Sequence, residues 1–184
     1  MNPGRSVLRV VSTPPPEEVL DTTSLDPERV YRRYAPYVAA VAFRLLGRHE
    51  GVDDSVQEVF LHALKGLKTV RDPNAIKGWL AKITVRVVRR RLRLRRLRTF
   101  LGLEHPVVRD LASELATPEQ RTLLAQVYEQ LDEMAPDLRI AWVLRHVEGA
   151  RLDDVALACG CSLATAKRRI ASAARQLEEA LDVS

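Results

Sequence analysis

Residues 152–177, LDDVALACGCSLATAKRRIASAARQL, decide the fold. Leu152 to Ala158 has the spacing of a short helix, and the small Ala156 lets a second helix approach it. Cys159-Gly160-Cys161 makes a tight turn in which Gly160 supplies a backbone angle that other residues avoid. Ser162 then caps a helix with Leu163, Ala166, Ile170, Ala173, Leu177 and Leu181 facing inward. These are the proportions of a helix-turn-helix. Ala164, Thr165, Lys167, Arg168 and Arg169 fall near the exposed start of the second helix, where side chains can reach base edges in a major groove. Thr165 and Arg168 lie three apart on the outward side. Arg169, three residues after Ala166, leans toward the packing side and suits a phosphate. A plain helical hairpin has the same outline, but the glycine turn, serine cap and basic start favour DNA.

Upstream, Pro136 opens a helix carrying Ile140, Val143, Leu144 and Val147, closed by Gly149. Thr117-Pro118 opens another with the stripe Leu123, Leu124, Val127, Leu131 and Met134. Residues 119–184 thus form one helical domain. Residues 99–118 lose periodicity at Gly102, Pro106 and Pro118 and are predicted to be a flexible linker, with an r.m.s. span on the order of 25 Å and an extended length of about 70 Å. It can separate two domains widely. Residues 26–98 are predicted to be a second, three-helix domain. Asp26 caps its first helix ahead of Pro27, Pro36 restarts a helix with Tyr37, Val38, Val41 and Leu45 inward, and Gly47 ends it. Asp53 or Asp54 starts the next, with Val56, Phe60, Ala63, Leu64 and Leu67 as its apolar stripe. After a turn at Pro73 and Asn74, the third runs from about Ala75 with Ile76, Trp79, Leu80, Ile83 and Val87 buried. Residues 1–25, with Pro14-Pro15-Pro16, are predicted to be a flexible tail. The fold class is all-α: two small helical domains joined by a flexible linker, the second containing the helix-turn-helix.

Composition agrees. The chain has 184 residues, 46% hydrophobic and 5% aromatic, so a core of Leu, Val and Ala is available and wholesale disorder is excluded. The net charge of +5 hides an asymmetry: residues 71–98 carry eleven basic side chains against one acid, eight of them arginines between Arg86 and Arg98. Such a run repels itself and calls for a polyanion, with nucleic acid favoured over a membrane surface or a merely solvated face. The two cysteines, Cys159 and Cys161, exclude a disulfide framework and point to a reducing compartment, the cytoplasm. Cys-x-Cys supplies at most two metal ligands, and His49, His62, His105 and His146 are scattered, so neither a metal nor a cofactor is expected. No Ser/His/Asp set, P-loop or glycine fingerprint suggests an enzyme. No apolar run approaches the ~18 residues of a membrane span.

Taken together and in order, DDSVQEVFLHALKGL (53–67), IKGWLAKITVRVVRRRLRLRR (76–96) and LDEMAPDLRIAWVLRHVEGARLDDVALACGCSLATAKRRIASAARQL (131–177) resemble bacterial RNA polymerase sigma factors of the extracytoplasmic-function (ECF) group of the sigma-70 family. RRYAPYV (32–38) and RLLG (44–47) fit the start of that family's first domain. The resemblance implies a factor, not an enzyme, that brings core RNA polymerase to promoter DNA and helps melt it. Asp54, Gln57, Glu58 and Phe60 match D-x-x-Q-E-x-F. The three polar residues would dock on polymerase, with Phe60 in the core. Trp79, Leu80 and Ile83 match W-L-x-x-I. Lys77, Lys82, Arg86, Arg89, Arg90 and Arg93 would serve the minus-ten element. Thr165, Lys167, Arg168, Arg169 and Arg175 would serve the minus-thirty-five element. An anti-sigma factor is a further implied partner. The chain departs from the family pattern at Arg86 and Arg90, where Asn and Asp are usual, and at Ala171, Ser172 and Ala174. The alternatives are a free-standing helix-turn-helix regulator and a sigma-like module for protein interaction. The Q-E-x-F helix argues against the first.

Overall fold

Asp26 accepts hydrogen bonds from the backbone N–H groups of Glu28 and Arg29, and with Pro27 at the first position it starts α1, Pro27–Leu46. The computed structural model describes residues 26–70, 72–103 and 117–181. The predicted tail (1–25) and most of the predicted linker (104–116) lie outside the described residues. Pro36 does not restart a helix, as its sequence position suggested, but sits inside α1. An interior proline costs about 3 kcal/mol. Here Val30 and Tyr34 before it and Val38, Val41, Ala42 and Leu45 after it are all buried on one continuous face, which outweighs that cost.

Gly47 ends α1 in the left-handed region at φ 67°. The next helix, α2 (Val52–Gly66), starts one residue earlier than predicted, from Gly51, with Asp53 and Asp54 in its first turn. Val56, Phe60, Ala63 and Leu67 are buried as predicted, but Leu64 is 52% exposed. Short 3-10 turns at Leu67–Thr69 and Pro73–Ala75 lead into α3, Ile76–Phe100. This helix runs straight through the arginines, two residues past the predicted boundary. Ile76, Leu80, Ile83, Val87 and Leu92 hold its buried side.

The second module contains α4 (Pro118–Glu133), α5 (Pro136–His146), α6 (Leu152–Cys159) and α7 (Leu163–Leu181). Leu123 and Leu163, predicted to face inward, are exposed, whereas Val127, Leu131, Met134, Ala166, Ala173 and Leu177 are buried. The turn between α6 and α7 is a Schellman motif. Cys161 N–H donates to the Ala156 carbonyl at 3.0 Å and Gly160 N–H to that of Leu157 at 3.2 Å, with Gly160 at φ 64°. Ser162 Oγ accepts from Thr165 N–H at 3.2 Å, the predicted cap.

The modules do not stand apart. α3 packs on α5 and α6, and α1 on α5, so one buried cluster runs through both. The sequence allowed a wide separation because nothing local reveals that α3 has a second packing partner.

Candidate nucleic-acid interface

The arginine run of α3 is divided by the helical period. One group turns back to α2. Glu58 takes Arg90 Nη2 at 2.9 Å and Arg91 Nη2 at 3.4 Å, with His62 Nε2 at 3.7 Å, and its side chain is only 19% exposed. A second group turns to the other module. Arg89 Nε lies 2.9 Å from Asp137 Oδ1, Arg93 Nη2 donates to Asp137 Oδ2 at 3.2 Å, and Arg169 Nη1 of α7 sits 3.8 Å from the same carboxylate. Arg89 Nη2 also donates to the Cys159 carbonyl at 3.0 Å, on the turn of the helix-turn-helix. Arg86, Arg96 and Arg98 remain exposed.

Deeper in, Asp132 joins Arg95 of α3 and Arg139 of α5, with Arg48 Nη2 at 3.9 Å. The burial of Arg95 lowers its pKa and Asp132 opposes the shift. Arg139 Nε donates to the Leu45 carbonyl and Tyr128 OH to the Arg44 carbonyl, both at 2.8 Å. These donors satisfy carbonyls that the end of α1 leaves orphaned, at the negative pole of its dipole. Arg44 Nη1 adds a 2.6 Å bond to Glu148. Burial pushes the Tyr128 hydroxyl up to about 12.

Of the predicted DNA-facing residues in α7, Lys167, Arg168 and Arg175 are exposed, and Arg169 is half-buried on the packing side, as its spacing implied. Thr165, predicted on the outward face, is more enclosed than Arg168. It is half-buried, with Oγ1 2.9 Å from Ser162 Oγ in the cap. Lys77 and Lys82 are exposed at the rim of a groove of about 650 Å³ between the modules, with Lys77 Nζ 5.0 Å from the Tyr37 ring centroid. Burial, then Glu148, raises the Tyr37 hydroxyl to about 12. Among the predicted polymerase-facing residues, Asp54 and Gln57 are exposed, with Asp54 Oδ2 3.7 Å from Arg91 Nη1, while Glu58 is half-buried and pairs with Arg90 and Arg91. Cys159 is buried and its thiol is raised to about 11 by desolvation, the behaviour of a packing residue. Among the described residues no group of three His, Cys, Asp or Glu is placed to hold a metal.

Comparison with known proteins places this geometry. Residues 30–98 match Sigma-70 region 2 and residues 124–177 match Sigma-70, region 4. The ECF RNA polymerase sigma factor EcfG of Rhodopseudomonas palustris is 30% identical over 150 residues, covering 80% of this chain and 81% of that protein. The chain belongs to the ECF sigma factors of the sigma-70 family. A sigma factor directs RNA polymerase to promoters, and that is this chain's role. The ECF sigma factor SigE of Mycolicibacterium smegmatis is 28% identical over 158 residues, 84% of this chain, which spans 61% of that longer protein. The fold is also that of the sigma factor RpoE of Bartonella quintana, solved in complex with the anti-sigma factor NepR. The TM-score is 0.64 at 24% identity, covering 85% of this chain and 97% of that one.

In this sigma factor the residues that sequence reasoning missed are Asp132, Asp137, Tyr128 and Arg139. One signal was available. Arg139 stands four residues before Val143, on the apolar face of its helix, where a charge demands a buried partner. The carboxylates carried none, since their partners on α3 and α7 are far away in sequence and only Arg139, seven residues from Asp132, is near.

Proposed function

We propose that the two modules of this sigma factor divide promoter recognition. In this reading Asp54 and Gln57 on α2 meet core polymerase, α3 and the turn before it serve the minus-ten element, and α7 reads the minus-thirty-five element. The observation that carries it is the exposure of Lys167 and Arg168 at the start of α7 in a chain whose other module exposes Gln57 and Asp54 on α2. A free-standing regulator has no use for the second surface. Melting fits the first module, where exposed cations near the turn can hold an unstacked strand. The groove lined by Tyr37, Trp79, Leu144 and Leu157 is the seat we assign to an anti-sigma factor, because it exists only while the modules are packed. The relative RpoE, solved with NepR, supports that partner class.

Run-off transcription with purified core polymerase on a genomic fragment library tests the whole. Transcripts that depend on this chain and share two upstream motifs are expected, and their absence overturns the reading. Within it, Gln57→Ala is expected to weaken binding to core polymerase without lowering the melting temperature. Glu58→Ala is expected to lower the melting temperature, because it strips the carboxylate from Arg90 and leaves Arg91 only Asp54.

A further inference from the structure

The two acidic nodes between the modules are unlike. Asp132 is enclosed. Asp137, in the first turn of α5, lies at the edge, its partner Arg93 62% exposed, and it gathers arginines from both DNA-facing helices: Arg89 and Arg93 of α3, Arg169 of α7. Three guanidinium groups around one carboxylate leave an excess of positive charge open to solvent on one side. That is the geometry arginine offers to phosphate.

We propose that Asp137 is an internal stand-in for a DNA phosphate, occupying the phosphate-binding arginines of both modules until duplex DNA displaces it. The proposal rests on the assignment of α3 and α7 to DNA. Its physical basis is competition for the same donors. Arg89 and Arg169 cannot serve two distant DNA sites while both point at one carboxylate. Elements at minus ten and minus thirty-five are about 25 base pairs apart, on the order of 85 Å of duplex at ~3.4 Å per base pair. The modules must therefore part, and the arginines freed from Asp137 are those that phosphates then occupy. Arg89 also leaves the Cys159 carbonyl on the helix-turn-helix turn, so opening releases that motif from α3. The same linkage makes binding weaker than that of an open chain, by the fraction of molecules that are open.

The test uses the full chain and a random-sequence duplex as probe. Dyes placed through non-natural amino acids at positions 68 and 179, one on each module, report the distance between modules. Free wild-type chain is expected to show a short distance that lengthens as duplex is added. Asp137→Asn is expected to reach the long distance at lower duplex concentration and to bind duplex about 5-fold tighter or more. Glu129→Gln, an exposed acid of α4 that removes the same charge away from the cluster, supplies the electrostatic baseline. Asp137→Ser is the second variant, should the first fold poorly. Equal affinity for Asp137→Asn and Glu129→Gln, or a wild-type distance that duplex leaves unchanged, overturns the proposal. Arg93→Ala separates the two levels. If it weakens duplex binding while Asp137→Asn matches the baseline, only the stand-in role fails. If it too leaves binding unchanged, the DNA assignment of α3 fails with it.

Discussion

Asp132 and Asp137 stand five residues apart, either side of the turn between α4 and α5, and each collects three arginines. Around Asp132 the arginine side chains of 48, 95 and 139 are 8%, 16% and 2% exposed. Around Asp137 those of 89, 93 and 169 are 20%, 62% and 25% exposed. The chemistry is the same and the surroundings are not. At Asp132 the arginines also cap the end of α1, so no other anion can replace the carboxylate without opening the core. At Asp137 solvent reaches the pair from one side, where the Coulomb energy is smaller and screening stronger. One node is therefore a fastening, and the other is exchangeable.

The largest effect is expected where the fastening is removed. Asp132→Ala leaves three nearly buried guanidinium groups without their shared carboxylate, and breaking a buried pair from one side costs about 3–5 kcal/mol. Urea unfolding should show that loss in the midpoint. A loss under about 1 kcal/mol would put Asp132 in the same class as Asp137 and erase the contrast.

Next comes the backbone beneath the same node. Gly47 ends α1 at φ 67°, and a Cβ there would lie 2.4 Å from Tyr128 Cδ1 and 2.9 Å from Arg139 Nη2. Gly47→Ala adds left-handed strain to overpacking, about 2–4 kcal/mol. Because both neighbours belong to the second module, the variant should also lengthen the distance between modules. If stability falls with that distance unchanged, the end of α1 is not where the modules are fastened.

These two sites show what the sequence carried and what it did not. Local signals were legible: the Asp26 cap, the Gly160 turn, the Ser162 cap and the apolar stripes of α2 and α5 all have causes within a few residues. The helix-turn-helix and the orientation of Arg169 followed from them. Pro36 misled because its cost is local and what offsets it, burial on both sides, is not. The arginine run misled in part for the same reason. Self-repulsion counted along α3 omits Glu58, Asp132 and Asp137, which lie 32 to 48 positions away in sequence from their partners on that helix. Glu58, assigned to polymerase from its motif, also pairs with Arg90 and Arg91, which the motif does not reveal.

A smaller effect separates the arginines of α7. Arg168 is exposed and outside the Asp137 node, and Arg169 is part of it. Arg168→Ala is expected to cost about 1–3 kcal/mol in binding the upstream element and to relax preference at one or two positions. Arg169→Ala should weaken binding evenly across sequences, and by less, because the same substitution loosens the cluster that competes with DNA. Selection from a randomised upstream element with each variant decides. If Arg169→Ala changes the selected motif and Arg168→Ala does not, α7 presents the opposite side to DNA.

The smallest expected effect is on the stability of the Asp137 node itself. Asp137→Asn removes a charge whose partners keep other company: Arg89 retains the Cys159 carbonyl at 3.0 Å, and Arg93 is open to water. Of the three pairs only that of Arg93 is exposed, and exposed ion pairs contribute about 0–1 kcal/mol; the Arg169 pair is long at 3.8 Å, and Arg89 is backed by the carbonyl. The variant should therefore unfold within about 1 kcal/mol of wild type, while its affinity for duplex changes by more than its stability does. Raising the salt should shrink the remaining difference in stability, since the pair is reached by counterions, and should leave the deficit of Asp132→Ala nearly intact. A node that is weak for folding and strong for DNA competition is what an exchangeable contact requires. Should Asp137→Asn cost as much as Asp132→Ala at every salt concentration, Asp137 is a second fastening, and no phosphate displaces it.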